Sequence, residues 1–327
     1  MTCKISGLDL WQWRKEAQTS AIAAAISPSE IDWLLQELAD LDRLSLRLES
    51  FKHQSRITLK IPFLELKQRW QQRIEQRVPI QYLAGSTPWR NFTLTVSPAV
   101  LIPRPETEQL IDLALAATVA NPALKMGHWA DLGTGSGAIA IGLADALPQA
   151  TIHAVDRSSE ALAIAQQNAQ KLGFSDRIQF YQGNWLEPLK FLKGNLSGLV
   201  SNPPYIPTQM VLELQPEVAN HEPHLALDGG SDGLDCIRHL VTTAPEHLRF
   251  GGVWMVEIMA GQADAVTRLL KNHGSYGEVQ IHRDLAGVER FTTAIVSHNR
   301  RINLSSGAVI APFQFLSPPK SPKIGGL

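Results

Sequence analysis

The four residues Asn202-Pro203-Pro204-Tyr205 combine a planar amide, two proline rings and an aromatic ring directly after the apolar run 199–201. Proline fixes φ near about −65° and has no N–H, so the Pro203 carbonyl is held in one direction. The Asn202 side-chain oxygen and this carbonyl can each accept one N–H of an incoming NH2 group, and Tyr205 can stack on the plane of that group. Asparagine and proline are also common turn formers, so the motif alone fits an ordinary strand-end turn equally well.

A second group of residues with chemical potential lies about seventy positions upstream, where a short apolar strand runs into a glycine-rich turn and an apolar helix. The turn consists of Gly133, Thr134, Gly135, Ser136 and Gly137. Glycines at every second position let a backbone pass close to a ligand and present N–H groups at a helix N-terminus. The turn is Gly-x-Gly-x-Gly, which differs from the pyrophosphate-binding Gly-x-Gly-x-x-Gly and lacks the Lys-Ser/Thr of a P-loop.

Asp156 ends the next apolar strand, nineteen residues after Gly137. A carboxylate at this point can accept hydrogen bonds from both hydroxyls of a ribose, as in dinucleotide-binding folds. The second-strand acid by itself does not distinguish a nicotinamide cofactor from S-adenosylmethionine.

Taken together, the glycine turn, the acid and the Asn-Pro-Pro-Tyr segment resemble a class I S-adenosylmethionine-dependent methyltransferase that acts on an exocyclic or amide nitrogen. Further segments are similar to the signature of the PrmC/HemK family over roughly residues 75 to 297. These segments are residues 77–85, residues 101–108, Glu222-Pro223, Ala226-Leu227, Gly229-Gly230 and Asp232-Gly233-Leu234. Enzymes of this family methylate the N5 nitrogen of the glutamine in the Gly-Gly-Gln motif of class-1 peptide-chain release factors.

The resemblance implies a doubly wound, mostly parallel seven-stranded sheet, S-adenosylmethionine as cofactor, release factors as partners and no metal. The residues it implies for catalysis are Asn202, Pro203 and Tyr205. Those implied for cofactor binding are Gly133, Thr134, Gly135, Ser136, Gly137, Asp156, Trp185 and Asn202. Those implied for binding the substrate glutamine are Asn202, Pro203, Pro204 and Tyr205. The sequence departs from the family pattern at Asn184, where many relatives have Asp, and at Met259, where Gly is usual.

The elements that would position these residues divide the chain into four parts. Residues 1–75 read as a helical domain that docks a protein substrate, with a packing appendage as the alternative. Residues 76–97 read as a linker hairpin. Alternating strands and helices over 98–302 predict the catalytic domain, and residues 303–327 are expected to be a mobile tail. In such sheets ligands bind at the carboxyl ends of the strands, where both the glycine turn and Asn202 fall.

Composition limits the functional classes that remain. A formal net charge of −1 gives no electrostatic footprint for a nucleic acid. The two cysteines, Cys3 and Cys236, match neither a disulfide framework nor a metal pattern, and no long apolar run is present, so we expect a cytoplasmic protein without membrane association. Pro223 lies between His221 and His224 and prevents a helical zinc-binding pair.

The expected reaction is a direct in-line displacement in which Asn202 orients the substrate amide and does not act as a base. Three alternatives remain at this point. One is a glutamine methyltransferase acting on a ribosomal protein, and another is an N6-adenine nucleic-acid methyltransferase, which uses the same motif on a flipped base. The third is a non-catalytic domain that binds the cofactor, although such a domain has no need for Asn202 and Tyr205 together.

Overall fold

The computed structural model describes residues 3–297 in two compact units, and the expected mobile tail at 303–327 lies outside the described residues. The first unit comprises residues 3–87, Thr95–Pro98 and Leu214–Glu222. Its helices and strands are β1 (Cys3–Ile5), α1 (Gly7–Ala23), α2 (Ser29–Leu38), α3 (Arg43–Leu48), β2 (Ile57–Leu59), α4 (Phe63–Gln76) and α5 (Ile80–Ala84), with a 3₁₀ turn at Ser50–His53.

The first unit folds around a helical core. In α2, Ile31, Leu34, Leu35 and Leu38 are buried, and this i, i+3, i+4, i+7 spacing is that of one apolar helix face. Strands β1 and β2 pair antiparallel over three residues each. The sequence predicts helices only in this region, because three residues are too few to display the two-residue alternation of a strand.

A segment from the second half of the chain, Leu214–Glu222, belongs to the first unit. Buried Arg73 bonds Glu30 at 2.6 Å and Glu217 at 2.8 Å, and Glu217 also pairs with Arg77 at 2.8 Å. The predicted boundaries place this segment in the catalytic domain, so the structure differs from the prediction here. An ion pair between residues 144 positions apart leaves no local sequence signal.

The second unit comprises Pro88–Leu94, Ala99–Glu213 and residues 223–297. Strands β3 (Ser86–Trp89) and β4 (Phe92–Thr95) form a separate hairpin within the segment 76–97. The strands of the main sheet are β5 (Gly127–Leu132), β6 (Ala150–Asp156), β7 (Ile178–Gln182), β8 (Leu196–Ser201), β9 (Leu248–Glu257), β10 (Tyr276–Arg283) and β11 (Glu289–Val296). The helices are α6 (Gln109–Ala120), α7 (Ala138–Ala146), α8 (Ser159–Leu172), α9 (Thr208–Val211), α10 (Pro216–Ala219, in the first unit's returning segment), α11 (Asp235–Thr243) and α12 (Ala263–His273). Shorter 3₁₀ turns lie at Glu106–Glu108, Pro122–Lys125, Glu187–Leu192, His224–Ala226 and Ala244–Glu246.

The main sheet has seven strands in the order β10-β11-β9-β8-β5-β6-β7. Strand β11 runs antiparallel to both its neighbours, and the pairs among β9, β8, β5, β6 and β7 are parallel. The expected doubly wound, mostly parallel seven-stranded sheet is therefore confirmed.

Two hydrophobic cores cover the two faces of this sheet. In β9, Val253 and Met255 join the core that contains α6 and α7, whereas Trp254 and Val256 join the core that contains α11 and α12. Such alternation is expected of a central strand that is buried on both faces. The order of strands reverses between β5 and β8, which places the switch point of the fold between the glycine turn and Asn202.

Candidate active site

The register of the sheet places the chemically important residues in one row. Leu132 of β5 pairs with Val155 of β6 and with Ser201 of β8, and Ser201 pairs with Val256 of β9. The next residues along these four strands therefore stand side by side at the carboxyl edge. Across the sheet they are Asp156, Gly133, Asn202 and Glu257.

A cleft of about 500 Å³ opens at this edge of the second unit. Six of the predicted site residues line it, namely Gly133, Gly135, Asp156, Trp185, Asn202 and Pro204. Five do not line it, namely Thr134, Ser136, Gly137, Pro203 and Tyr205. The cleft also includes apolar side chains that the sequence does not single out, among them Val100, Ala161 and Leu225.

The glycine turn is built to leave its cleft side bare. Gly133, Gly135 and Gly137 have φ values of +75°, +54° and +84°, which disfavour a side chain. A Cβ added at Gly135 would meet no atom within 4 Å, so that side of the turn is open space. Gly137 precedes α7 and has a second reason to be glycine, because its added Cβ would lie 3.1 Å from the Cβ of Ala165.

Thr134 and Ser136 support the turn from behind. The Thr134 hydroxyl donates to the carboxylate of Asp131 at 2.6 Å, and the Ser136 carbonyl accepts from the buried Asn168 side chain at 2.9 Å. Both residues are buried. Their position indicates that they hold the shape of the turn.

Asp131 is a buried acid for which the sequence predicts no role. Its Oδ2 accepts from the Thr134 hydroxyl and from the Ala140 N–H at 2.9 Å, whereas its Oδ1 has no hydrogen-bond partner among the described residues. Burial raises the pKa of this carboxyl to about 7. An acid inside the apolar strand just before a glycine turn is the signal that could have marked it.

The carboxylate of Asp156 bridges the turn and the next helix. Its Oδ2 accepts from the Gly135 N–H at 2.8 Å and its Oδ1 accepts from the Ser158 N–H at 2.9 Å. Burial raises the pKa of Asp156, and these backbone donors oppose the rise. Because each carboxylate oxygen has two lone pairs, both oxygens can still accept a further hydrogen bond from a ligand.

Trp185 lies on the cleft beside the glycine turn. A Cβ on Gly133 would be 3.8 Å from its indole ring, and the centroid of the His239 ring is 6.4 Å from that of the indole. Trp185 has φ of 52°, an uncommon value for a residue with a side chain. The preceding Asn184 is exposed and also lines the cleft.

The Asn-Pro-Pro-Tyr segment is anchored by two residues for which the sequence predicts no individual function, Thr107 and Glu257. The Asn202 Nδ2 donates to the Thr107 hydroxyl at 3.2 Å, and this hydroxyl donates to Glu257 Oε2 at 2.6 Å. The Tyr205 hydroxyl donates to Glu257 Oε1 at 3.1 Å. Burial raises the pKa of both Glu257 and Tyr205.

The backbone after Asn202 is held by close contacts with a glycine segment. Ile206 forms a bridge with Asp228, and a Cβ added at Gly233 would lie 2.2 Å from the Tyr205 carbonyl. The Gln262 side chain donates to this same carbonyl at 3.0 Å and accepts from the Met259 N–H at 3.0 Å. Met259 does not have a positive φ, so the departure from glycine at this position imposes no backbone strain.

The two histidines considered as metal ligands do not form a cluster. His221 contacts the Gln76 carbonyl at 2.7 Å, and His224 is exposed. Residues 3–297 contain no group of three or more potential metal-binding side chains. Within the same residues, no helix combines the length and the apolar character that crossing a bilayer requires.

The residues present fit S-adenosylmethionine. The bare glycine turn leaves room for a ligand, the Asp156 carboxylate lines the cleft, and a buried oxygen of Asp131 has no donor within residues 3–297. A volume of about 500 Å³ is within the usual range for a site that encloses a small molecule.

Fold and site define a methyltransferase that uses S-adenosylmethionine. A family model described as a methyltransferase domain matches residues 125–219. The chain is 52% identical to the release factor glutamine methyltransferase of Synechocystis sp., over 89% of this chain and 97% of that protein. The chain belongs to the release factor glutamine methyltransferase family. Proteins of the same name from Thermosynechococcus vestitus and Gloeobacter violaceus are 52% and 44% identical, over 81% and 85% of this chain and 90% and 94% of their own lengths.

Proposed function

We propose that this protein transfers a methyl group from S-adenosylmethionine to the side-chain amide nitrogen, N5, of the glutamine in the Gly-Gly-Gln motif of class-1 peptide-chain release factors. The observation that carries the proposal is the row of residues at the sheet edge. It brings Asn202 next to Gly133 and Asp156 in one cleft, so that an amide and a cofactor can meet there.

On the cofactor side, the proposed binding residues divide into two groups. Gly133, Gly135, Asp156, Trp185 and Asn202 face the ligand, with Asp156 accepting from the ribose hydroxyls and Trp185 packing against the adenine. Thr134, Ser136 and Gly137 act by holding the turn in shape. When bound, S-adenosylmethionine supplies an electrophilic methyl group on a sulfonium centre.

On the substrate side, Asn202 and Pro203 act as acceptors. The Asn202 side-chain oxygen and the Pro203 carbonyl each take one N–H of the glutamine NH2 group. Pro204 lines the cleft and forms the wall beside this group, and Tyr205 supports this wall through the hydrogen bond of its hydroxyl to Glu257. Two acceptors at fixed positions orient the NH2 group so that its nitrogen lone pair points to the cofactor side of the cleft.

The catalytic effect is one of positioning. An amide nitrogen is a poor nucleophile because its lone pair is delocalised, and Asn202 has no titratable proton and cannot act as a base. Holding two reacting groups in line can lower a barrier by roughly 7 to 11 kcal/mol in favourable cases. The excess proton on the methylated amide is strongly acidic and leaves to water.

The partner and the compartment follow from the substrate. Relatives at 40% to 52% identity share the name release factor glutamine methyltransferase, and this favours a release factor over a ribosomal protein or an adenine base. We place the enzyme in the cytoplasm because release factors act there, on translating ribosomes.

One labelling experiment tests this function. The protein is incubated with methyl-labelled S-adenosylmethionine and, in separate reactions, with a release factor, with ribosomal proteins and with DNA. Label should enter the release factor at the glutamine, and a factor carrying Gly-Gly-Ala should stay unlabelled. Label that entered ribosomal protein or DNA and spared the release factor would refute the proposal.

A further inference from the structure

The hydroxyl of Thr107 lies between the proposed substrate-binding amide and a buried acid. Its oxygen is 3.2 Å from the Asn202 Nδ2 and 2.6 Å from Glu257 Oε2. Thr107 is 4% exposed and Glu257 is 1% exposed, so water does not compete for these bonds.

The chemistry of the three groups gives the chain of hydrogen bonds a single direction. A carboxylate only accepts, so the one hydrogen of the Thr107 hydroxyl is donated to Glu257. The Thr107 oxygen is then left to accept, and its donor is the NH2 group of Asn202. The carbonyl oxygen of the Asn202 amide consequently points away from Thr107.

The same carboxylate also fixes the aromatic ring of the motif. Glu257 Oε1 accepts from the Tyr205 hydroxyl at 3.1 Å, so Glu257 holds the last residue of Asn-Pro-Pro-Tyr directly and the first residue, Asn202, through Thr107. Burial raises the pKa of Glu257, and the hydrogen bonds from Thr107 and Tyr205 together with the positive charge of Arg290 oppose this rise, because they favour the ionised form in which both oxygens accept.

We propose that Thr107 and Glu257 are positioning residues that lock the Asn202 amide with its oxygen toward the substrate. This inference rests on the proposed function. If the Asn202 amide were rotated by half a turn, its NH2 group would face the NH2 group of the substrate glutamine. Both groups are donors, so no hydrogen bond could form between them. Thr107 prevents that orientation because its only hydrogen is committed to Glu257.

The test compares four single substitutions, at Thr107, Thr118 and Glu257, and one double variant in the full-length protein. Thr107→Val removes the hydroxyl at nearly constant volume, and Thr107→Ser keeps it. Thr118→Val is the matched control, since Thr118 is a buried threonine in α6 whose hydroxyl donates only to the Leu115 carbonyl. For each variant, kcat and KM for a release factor are measured at saturating S-adenosylmethionine, with the Kd for S-adenosylmethionine by calorimetry.

Thr107→Val should lower kcat about tenfold or more while the Kd for S-adenosylmethionine changes less than about twofold, as expected for loss of a buried hydrogen bond on the substrate side. Thr107→Ser should restore most of the turnover, and Thr118→Val should behave like the wild type. Glu257→Gln should also lower kcat, and the double variant with Thr107→Val should lose less than the product of the two single effects because both act through one network.

Two other results would overturn the inference. The first is wild-type turnover in Thr107→Val, which would leave the proposed function standing. The second is equal loss of turnover, cofactor affinity and thermal stability in both Thr107 variants, which would show that Thr107 only supports the fold. Failure of the wild-type protein to methylate the release factor is distinct from both, since it would refute the proposed function and the inference with it.

Discussion

Asp156 has two tasks at the residue scale, because the carboxylate proposed to bind the ribose also accepts the Gly135 and Ser158 N–H groups. We predict that Asp156→Ala weakens S-adenosylmethionine binding by about 1.5 to 3 kcal/mol, since charge-assisted bonds are lost. Asp156→Asn keeps one acceptor oxygen, so its affinity for S-adenosylmethionine should lie between that of the wild type and that of Asp156→Ala. Calorimetry measures both, with Asp176→Ala, at an exposed position, as the control. Unchanged affinity in Asp156→Ala would mean that the ribose lies elsewhere.

Asn202 is expected to act on turnover far more than on cofactor binding. Asn202→Ala removes one of two acceptors for the substrate amide and should lower kcat by at least about a hundredfold, with a much smaller change in the Kd for S-adenosylmethionine. Asn202→Asp should be partly active at best, because its carboxylate cannot donate to Thr107. Initial rates at saturating cofactor provide the measurement. An alanine variant with near wild-type kcat would contradict the orienting role.

The sequence predicts the site residues that lie inside a motif, but it does not predict the residues that bond them from distant positions in the chain. Gly133, Asp156 and Asn202 each follow a recognisable apolar strand, and the parallel register then aligns them. Thr107 bonds Asn202, which is 95 positions away in the sequence, and Glu257 bonds Thr107, which is 150 positions away. No local sequence pattern encodes contacts over such separations.

At the scale of elements, Asp131 lies where β5 meets the glycine turn and α7, and it makes the stability of the fold depend on pH. Its pKa is about 7 in the folded protein, against an ordinary value of 3.8 in an unfolded chain. Below about pH 4 both states are protonated. As the pH rises from 4 to 7 the unfolded state releases its proton first, so stability is lost across this range and stays lost above it.

Asp131→Asn should remove this dependence. The measured quantity is the free energy of unfolding of the variant minus that of the wild type, both without cofactor. This difference should rise by roughly 1 to 3 kcal/mol between pH 5 and pH 8. Urea denaturation at several pH values measures it. Asp145→Asn, at an exposed position of α7, should show no such trend. Parallel pH profiles for Asp131→Asn and the wild type would show that Asp131 does not hold its proton on folding.

Elements with strong local signals are predicted closely. The sequence predicts α8 from a cap at Ser158 or Ser159 to Gly173, and the structure has Ser159–Leu172 with Ser158 and Gly173 at its ends. At the start of the helix the Ser158 hydroxyl accepts a hydrogen bond from the Ala161 N–H. At its end Gly173 adopts the left-handed conformation that terminates many helices. The sequence does not predict strands β1 and β2, because they are strands through their pairing with each other and not through a local pattern.

At the scale of the whole molecule, we predict that an intact release factor is a far better substrate than a free peptide containing Gly-Gly-Gln. The factor presents an ordered loop and additional surface, whereas the peptide loses conformational entropy on binding. The specificity constant should differ by about a hundredfold or more, roughly 2.7 kcal/mol. Steady-state kinetics with both substrates measure the ratio.

A factor carrying Gly-Gly-Ala provides the control for that comparison. It should compete with the intact factor at concentrations near the KM of that factor, because its surface outside the loop is unchanged. A Gly-Gly-Ala peptide should compete only weakly. Equal specificity constants for peptide and protein would show that residues 1–75 take no part in substrate docking.

Domain organisation is where sequence reasoning is least informative. The change from a helical to an alternating sequence pattern marks the start of the catalytic sheet. The segment Leu214–Glu222 belongs to the first unit because Glu217 forms ion pairs with Arg73 and Arg77. Charged residues of this kind are common on surfaces, and nothing in their local sequence distinguishes these three.

The returning segment also sets an order of events while the chain is being made. Arg73 emerges from the ribosome 144 residues before Glu217. At about 5 to 20 residues per second, the first unit waits roughly 7 to 30 s for its last piece. During this interval the helical core can form with Glu30 as the partner of Arg73, but one arm of this buried guanidinium has no carboxylate to bind. The first unit is thus completed only after β5 to β8, four of the seven strands of the main sheet, have been synthesised.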